Sequence, residues 1–305
     1  MRAEFAIRVE RRVRPELSIV IVSYRCADLL DECLASIDRQ RGDVVCEVEV
    51  VDNASGDGTA DTARRYPWVT TTELESNIGF ARANNLAMSR ARGRAILILN
   101  PDTILPAGSL RACLDELWAD DAVGLLSPKL VDQEGRLDRR CHRGFPTLWS
   151  SFCYFTTLDR YLTNPRSQRY TLGNIPDDQA TDVEAVSGAF MLMPRSAMHQ
   201  VGGFDEQFFM YAEDIDLSLR FIENGYRVRY WPGAEVVHVG AGSNVSGQRP
   251  PAANAAYFRT MAPFIRKHRR GAQGLMLAMF VSLVGEILLG VTETRRAIRS
   301  RGTRP

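Results

Sequence analysis

The six cysteines, at positions 26, 33, 46, 113, 141 and 153, include no C-x-x-C pair. That scatter argues against structural zinc and fits free thiols in a reducing compartment. No G-x-G-x-x-G follows the first apolar run, which disfavours a dinucleotide-binding dehydrogenase. Gly242 and Gly247 have the spacing of a phosphate loop, but Gln248-Arg249 stands where Lys followed by Ser or Thr is required. No signal peptide is visible, because the opening Met1-Arg-Ala-Glu-Phe5 mixes charges with apolar side chains. The longest apolar stretch, Leu275 to Val291, runs only 17 residues and is broken by Ser282, Gly285 and Glu286, short for a bilayer span. Charge of one sign is also lacking overall, the net being +1.

What is present is an ordinary globular composition, 45% apolar and 25% charged over 305 residues, enough for one large or two modest domains. The charge is unevenly placed. Residues 264–305 hold nine Lys or Arg against Glu286 and Glu293, a local +7 that leaves the rest of the chain at −6. A basic tail on an acidic body points to an anionic surface as the tail's partner. Five arginines fall within the first fourteen residues, in an arm that precedes Pro15.

Leu17 to Ser23 is a β-branched apolar run of the kind that suits a parallel strand buried on both faces. A helix over 28–39 follows, then a strand over 45–52 ending in the turn-rich Asp52-Asn-Ala-Ser-Gly-Asp-Gly-Thr59. A helix over 59–65, a strand over 69–73, a helix entered through Asn77-Ile-Gly-Phe80 and a strand over 95–99 complete an alternating α/β half. Strands are expected at 124–130, 186–193, 227–231 and 235–239, and an amphipathic helix at 213–224. The stretch 135–183 has weak periodicity and reads as a substrate-facing insertion. Residues 240–253 form a Gly/Ser/Pro-rich loop, and 275–291 an interfacial helix or a helix buried against another subunit.

Several polar clusters lie just after expected strands: Ser23-Tyr24, Asp52-Asn53 and Asn100-Pro-Asp102. In open α/β sheets ligands bind at the carboxyl ends of strands, so these residues should converge on one crevice. Tyr24 could stack on a base or merely pack. Asp52 could accept from a base or ribose, or close an Asx-turn. Asp102 could hold a hard cation, or start a turn. His238 ends another short strand, where a single histidine is as readily structural as a ligand. The aromatic run Phe208-Phe-Met-Tyr211 leads into Glu213 and Asp214. Two acids at a helix start suit the helix dipole, and they also suit a general base beside an apolar wall.

Together Ile19-Val-Ile-Val-Ser-Tyr24, Val51-Asp-Asn-Ala-Ser-Gly-Asp-Gly58, Asn77-Ile-Gly-Phe-Ala-Arg-Ala-Asn84, Asn100-Pro-Asp102, Ser187-Gly-Ala189, Gly202-Gly-Phe-Asp-Glu206, Glu213-Asp214 and His238 resemble the inverting nucleotide-sugar glycosyltransferases of family 2, in their rhamnosyltransferase-like branch. Each motif is weak alone; the ordered set is specific. The resemblance implies a GT-A fold, a Rossmann-like mixed sheet flanked by helices, over 16–245. Residues 16–105 would be the nucleotide-binding half and 106–245 the acceptor-binding half. A basic arm at 1–15 and a helical, partly hydrophobic extension at 246–305 would flank it.

The resemblance further implies that Ser23, Tyr24, Asp52, Asn53, Asn77, Gly79, Arg82 and Asn100 bind the nucleotide sugar. It implies that Asp102 and His238 bind Mg²⁺ or Mn²⁺, and that Asp214 is the base with Glu213 beside it. Asn100 departs from the family by replacing the first acid of its DxD motif, and Arg25 by replacing the usual Asn after the tyrosine. The expected donor is a dTDP- or UDP-sugar, rhamnose by branch. The expected acceptor is a glycan or a polyprenyl-pyrophosphate-linked glycan in bacterial cell-surface polysaccharide synthesis. The chain is then expected to be cytoplasmic and peripheral on the inner face of the plasma membrane, held by its C-terminal extension or dimerised through it, with no nucleic-acid partner. Asn100 keeps open an alternative, an inactive GT-A module that binds nucleotide or a protein partner.

Overall fold

A computed structural model describes residues 14–138, 141–155, 158–162, 164–173, 175–240, 251–269 and 271–302. Most of the expected basic arm at 1–15, and the stretch 241–250 of the Gly/Ser/Pro-rich loop, lie outside these residues.

The first half alternates as its apolar runs dictate: β1 (Leu17–Ser23), α1 (Ala27–Asp38), β2 (Cys46–Asp52), α2 (Thr59–Arg64), β3 (Val69–Glu73), α3 (Phe80–Met88) and β4 (Ala95–Leu99). Every residue of β1 and β4 is buried, as the uninterrupted runs require of strands covered on both faces. Then come β5 (Thr103–Ile104), α4 (Ser109–Trp118), β6 (Val123–Val131), β7 (His142–Arg143), α5 (Leu148–Phe155), β8 (Thr181–Asp182), β9 (Ala185–Val186) and β10 (Phe190–Pro194). The chain ends with α6 (Arg195–Val201), α7 (Glu213–Glu223), β11 (Arg227–His238), α8 (Pro251–His268) and α9 (Ala272–Gly302).

The strands form a nine-stranded mixed sheet in the order β3-β2-β1-β4-β10-β6-β11-β5, with β8 added on β11. β3, β2, β1 and β4 are parallel; Ile19 lies opposite both Val48 and Leu97. β10 enters antiparallel, with Phe190 opposite Leu99, and β11 runs parallel to β6. The carboxyl ends of β1, β2, β4, β6 and β11 therefore share one edge with the start of β10. That edge carries Ser23, Asp52, Asn100, Asp102, His238 and the Ser187-Gly-Ala189 turn.

Three expectations needed correction. The strand expected over 186–193 is two pieces, β9 and β10. Between them Ser187 donates its amide to Cys141 O and Gly188 donates its amide to Asp214, so neither serves the ladder. The two short strands expected at 227–231 and 235–239 are one strand, β11, whose register against β6 breaks between Trp231 and Glu235 around Pro232-Gly233. The stretch 135–183 is only partly irregular: it contributes α5, and β7, which pairs antiparallel with β9.

A second, smaller core joins the C-terminal helices to the aromatic run. Phe208, Ala212 and Ile215 pack with Met261, Phe264 and Ile265 of α8 and with Leu277, Ala278 and Val281 of α9. No helix among the described residues is long and apolar enough to cross a membrane. The opposite stripe of α9 is exposed: Leu275, Met276, Met279, Leu283 and Ile287. Beside it, Phe152 of α5 lies 6.4 Å from Phe280, centroid to centroid, and stacks on Trp149.

Candidate functional site

The tips of β1 and β2 are laced together. Asn53 donates its amide to Ser23 O at 2.8 Å, and Ser23 itself is fully buried. Asp52, 1% exposed, accepts from the Ser55 amide at 3.2 Å and from the Ser55 hydroxyl, which in turn accepts from the Arg25 amide at 2.8 Å. Asp52 thus closes an Asx-type turn, and that turn holds Arg25 and Ala54 at positive φ, 53° and 65°. Tyr24 is 44% exposed at this edge, with the Arg25 guanidinium 5.1 Å from its ring centre. The ring therefore presents a partly solvated aromatic face backed by a cation.

Asn53 and Asn77 shape the next loop. The Asn53 amide group donates to Gly79 O and accepts from Ile78 N, and Asn77 Oδ1 accepts from Gly79 N at 3.0 Å. Gly79 has φ +86°, and a Cβ there would stand 2.7 Å from Phe209 O. Phe80 N donates to that same carbonyl at 2.8 Å, so the loop docks on the aromatic run. Arg82 does not join this group: it is exposed on α3 and paired with Glu206 at 3.0 Å.

At the centre of the edge, the short pairing of β5 with β11 sets Thr103 opposite His238, and Val239 N donates to Asp102 O. His238 is 7% exposed; its Nδ1 lies 2.9 Å from Asp138 and its Nε2 3.4 Å from Asp102. Burial disfavours the imidazolium, yet hydrogen bonds to the two carboxylates outweigh it and raise this imidazole to about 9. A carboxylate on Nδ1 that leaves Nε2 facing another acid is the arrangement in which histidine, once it gives up its proton, serves a metal, so the residues fit a hard divalent cation. Among the described residues no group of three or more such side chains is arranged to hold a cation unaided. Phosphate oxygens or water would have to complete its shell. Asn100 sits half-buried beside them, its amide donated to Ala189 O at 3.0 Å.

Glu213 and Asp214 open α7 directly after Tyr211 and Ala212, both at positive φ (69° and 71°). Two consecutive non-glycine residues in that region store on the order of 1–3 kcal/mol each, a strain found where geometry serves function. Asp214 Oδ2 accepts from Gly188 N at 3.1 Å and from the Arg143 guanidinium, while Oδ1 accepts from Ile215 N at 2.8 Å. Glu213 has no hydrogen-bond partner on Oε2, and burial, then the neighbouring charge of Asp214, pushes its carboxyl up to about 8. Asp216, fully buried one turn below, is clasped by Arg220, Lys267 and His268.

The turn between β9 and β10 ties the two clusters together: Ala189 O holds Asn100 and Gly188 N holds Asp214. Asp138 and Arg143 were not anticipated from the sequence. Both come from the weakly periodic stretch, and only the pairing of β7 with β9 brings Arg143 to α7.

A profile described as glycosyl transferase family 2 matches residues 18–197, and one described as the N-terminal domain of galactosyltransferase matches 178–240. The chain is 31% identical over 267 residues to an N-acetylglucosaminyl-diphospho-decaprenol L-rhamnosyltransferase of Mycobacterium tuberculosis, covering 84% of this chain and 85% of that one. It is 29% identical over 167 residues to a rhamnosyltransferase of Escherichia coli, covering 52% and 60%. A mannosyltransferase of Pyrobaculum calidifontis, solved with GDP-Man and Mn²⁺, superposes with a TM-score of 0.59 at 21% identity, over 96% of this chain and 77% of that one. GalNAc-T7, solved with UDP, GalNAc and Mn²⁺, superposes at 0.57 and 14% identity, over 82% and 48%. The mixed sheet and these likenesses make the fold GT-A. With more than half its length inside the family profile, the chain belongs to glycosyl transferase family 2 and is a glycosyltransferase.

Proposed function

We propose that this enzyme transfers rhamnose, with inversion, from a dTDP- or UDP-linked donor to a hydroxyl of a polyprenyl-pyrophosphate-linked glycan in cell-surface polysaccharide assembly. The observation that carries this reading is the Gly188-Ala189 turn, which holds Asp214 and the Asn100-Pro-Asp102 turn through adjacent backbone groups. That common tie at the strand tips, where ligands bind, supports reading Asp214 as a base and Asp102 with His238 as a cation site of one crevice. The names of the similar rhamnosyltransferases support the donor and acceptor classes.

Asp214 accepts the acceptor hydroxyl's proton as that oxygen attacks the anomeric carbon from the face opposite the leaving group. The bond to the nucleoside diphosphate breaks in the same step, which inverts the configuration. Asp102 and His238 would hold Mg²⁺ or Mn²⁺, which when bound neutralises charge on the leaving diphosphate. Tyr24 offers its ring to the base, while the Asp52 turn and the loop pinned by Asn53 and Asn77 shape the pocket wall. Phe209 and Met210, 55% and 41% exposed, form the apolar side of the acceptor site. The enzyme works at the inner face of the plasma membrane, its α9 stripe lying at the lipid surface.

The test is product formation from a panel of nucleotide sugars with Mg²⁺, Mn²⁺ or EDTA, on lipid-pyrophosphate-linked GlcNAc and on a soluble acceptor. Metal-dependent release of one nucleoside diphosphate together with glycosylated lipid supports the proposal; equal turnover in EDTA removes the metal from it.

A further inference from the structure

Asp214 has neighbours of both signs. From β7 comes Arg143, 9% exposed, whose guanidinium pairs with Oδ2 and also reaches Val186 O at 3.4 Å. From α7 itself come Glu213, alongside in sequence, and Ser218, whose hydroxyl donates to Asp214 O at 2.7 Å. From the turn before β10 comes only the Gly188 amide. The remaining nearby acid, Asp216, is matched by Arg220 and by Lys267 and His268 of α8. Among the described residues Arg143 is the cation seen paired with these acids: it bonds Asp214 directly, while Glu213 feels only its charge.

Two adjacent buried carboxyls do not ionise together, because each negative charge disfavours the other. Which of them is the anion is decided by partners. Oδ2 of Asp214 takes a guanidinium and a backbone amide, whereas Oε2 of Glu213 takes no donor. We propose that Arg143 is a positioning residue for glycosyl transfer: its ion pair with Oδ2 fixes and aims the Asp214 carboxylate, and so selects Asp214 over Glu213 as the base. The inference rests on the assignment of Asp214 as base. It is separable from it, because Arg143 acts on how the carboxylate is held, whereas Asp214→Asn tests the base itself.

The experiment compares kcat/KM against pH for the full chain, Arg143→Met, Arg143→Lys and Asp214→Asn. Without the guanidinium no cation favours a carboxylate at this pair, and nothing directs it to Asp214. The acid limb of Arg143→Met should move upward by about one pH unit or more, with donor KM unchanged. Arg143→Lys should return the limb toward its original position while kcat stays low, because a point charge does not reproduce the fork geometry. An unmoved acid limb in a folded Arg143→Met, or a loss confined to donor KM, overturns the proposal. If Arg143→Met does not fold, Arg143→Lys carries the test: a displaced limb or an unchanged kcat overturns it. Substantial turnover by Asp214→Asn would instead sink the base assignment, a result read independently of either Arg143 variant.

Discussion

Glu213 and Asp214 are like residues in unlike environments: Asp214 Oδ2 accepts from a guanidinium and an amide, Oε2 of Glu213 from no donor. Replacing Asp214 with Asn keeps the shape and the bond from Gly188 and, on the proposed mechanism, removes the proton acceptor. Transfer should fall by about 10²–10⁴-fold, with nucleotide affinity, read by calorimetry, nearly unchanged; lost nucleotide binding would count against the base role. Glu213 makes a separate prediction. The folded chain holds its proton up to about pH 8, whereas the unfolded chain releases it in the ordinary carboxylate range. The folded state binds the extra proton between those limits, so this residue's contribution to stability falls as pH rises through that window. Glu213→Gln should flatten the decline, with its Tm gaining on the parent's between pH 5 and pH 8.5; parallel Tm curves would refute the assignment. The acid pair, Asp102 and His238 were legible in the sequence because each stands at the end of an apolar run or the start of a periodic one. Asp138 and Arg143 were not, because a residue in an aperiodic stretch acquires its partner only through non-local pairing.

Among the elements, the loop before α3 docks on the aromatic run that precedes α7. Asn53 and Asn77 spend their side chains on its backbone, and Gly79 passes close against Phe209. Gly79→Ala adds a methyl group 2.7 Å from a carbonyl oxygen, at a φ of +86°. The backbone conformation alone should cost on the order of 1–3 kcal/mol in denaturant melts. Because Phe80 N is bonded to Phe209 O, acceptor KM should rise as well; a stable variant with unchanged KM would show that the contact is incidental. The sheet's first half was legible element by element, since fully buried parallel strands announce themselves as unbroken runs. α4 was not among the expected elements, although its buried stripe, Leu110, Cys113, Leu114 and Leu117, has helical spacing. The interruption between β9 and β10 carried a signal that the expected strand passed over, the Ser187-Gly188 dipeptide, whose amides are drawn to Cys141 and Asp214.

Across the whole molecule, α9 has two apolar faces, one buried in the second core and one exposed. One face of α9 joins α8 in closing over Phe208, Ala212 and Ile215, while Lys267 and His268 reach Asp216 on the helix that carries Asp214. Deleting 264–305 would strip that core and leave a fully buried carboxylate with fewer partners, so truncation would confound folding with membrane binding. The exposed face can be changed without this. Met276, Met279, Leu283 and Ile287 are each 57–61% exposed and lie within one stripe, which Glu286 borders. The segment 264–305 around them carries a net +7, and an apolar stripe in a basic segment fits an anionic lipid surface. Four such side chains, partly inserted, contribute on the order of 3 kcal/mol, roughly a hundredfold in partitioning. Replacing all four with Gln should abolish flotation with anionic vesicles and slow transfer to a lipid-linked acceptor, while Tm and turnover on a soluble acceptor hold. If flotation persists but sedimentation shows a dimer falling to monomer, the stripe is a contact between copies of the chain, and the lipid role proposed for it is overturned.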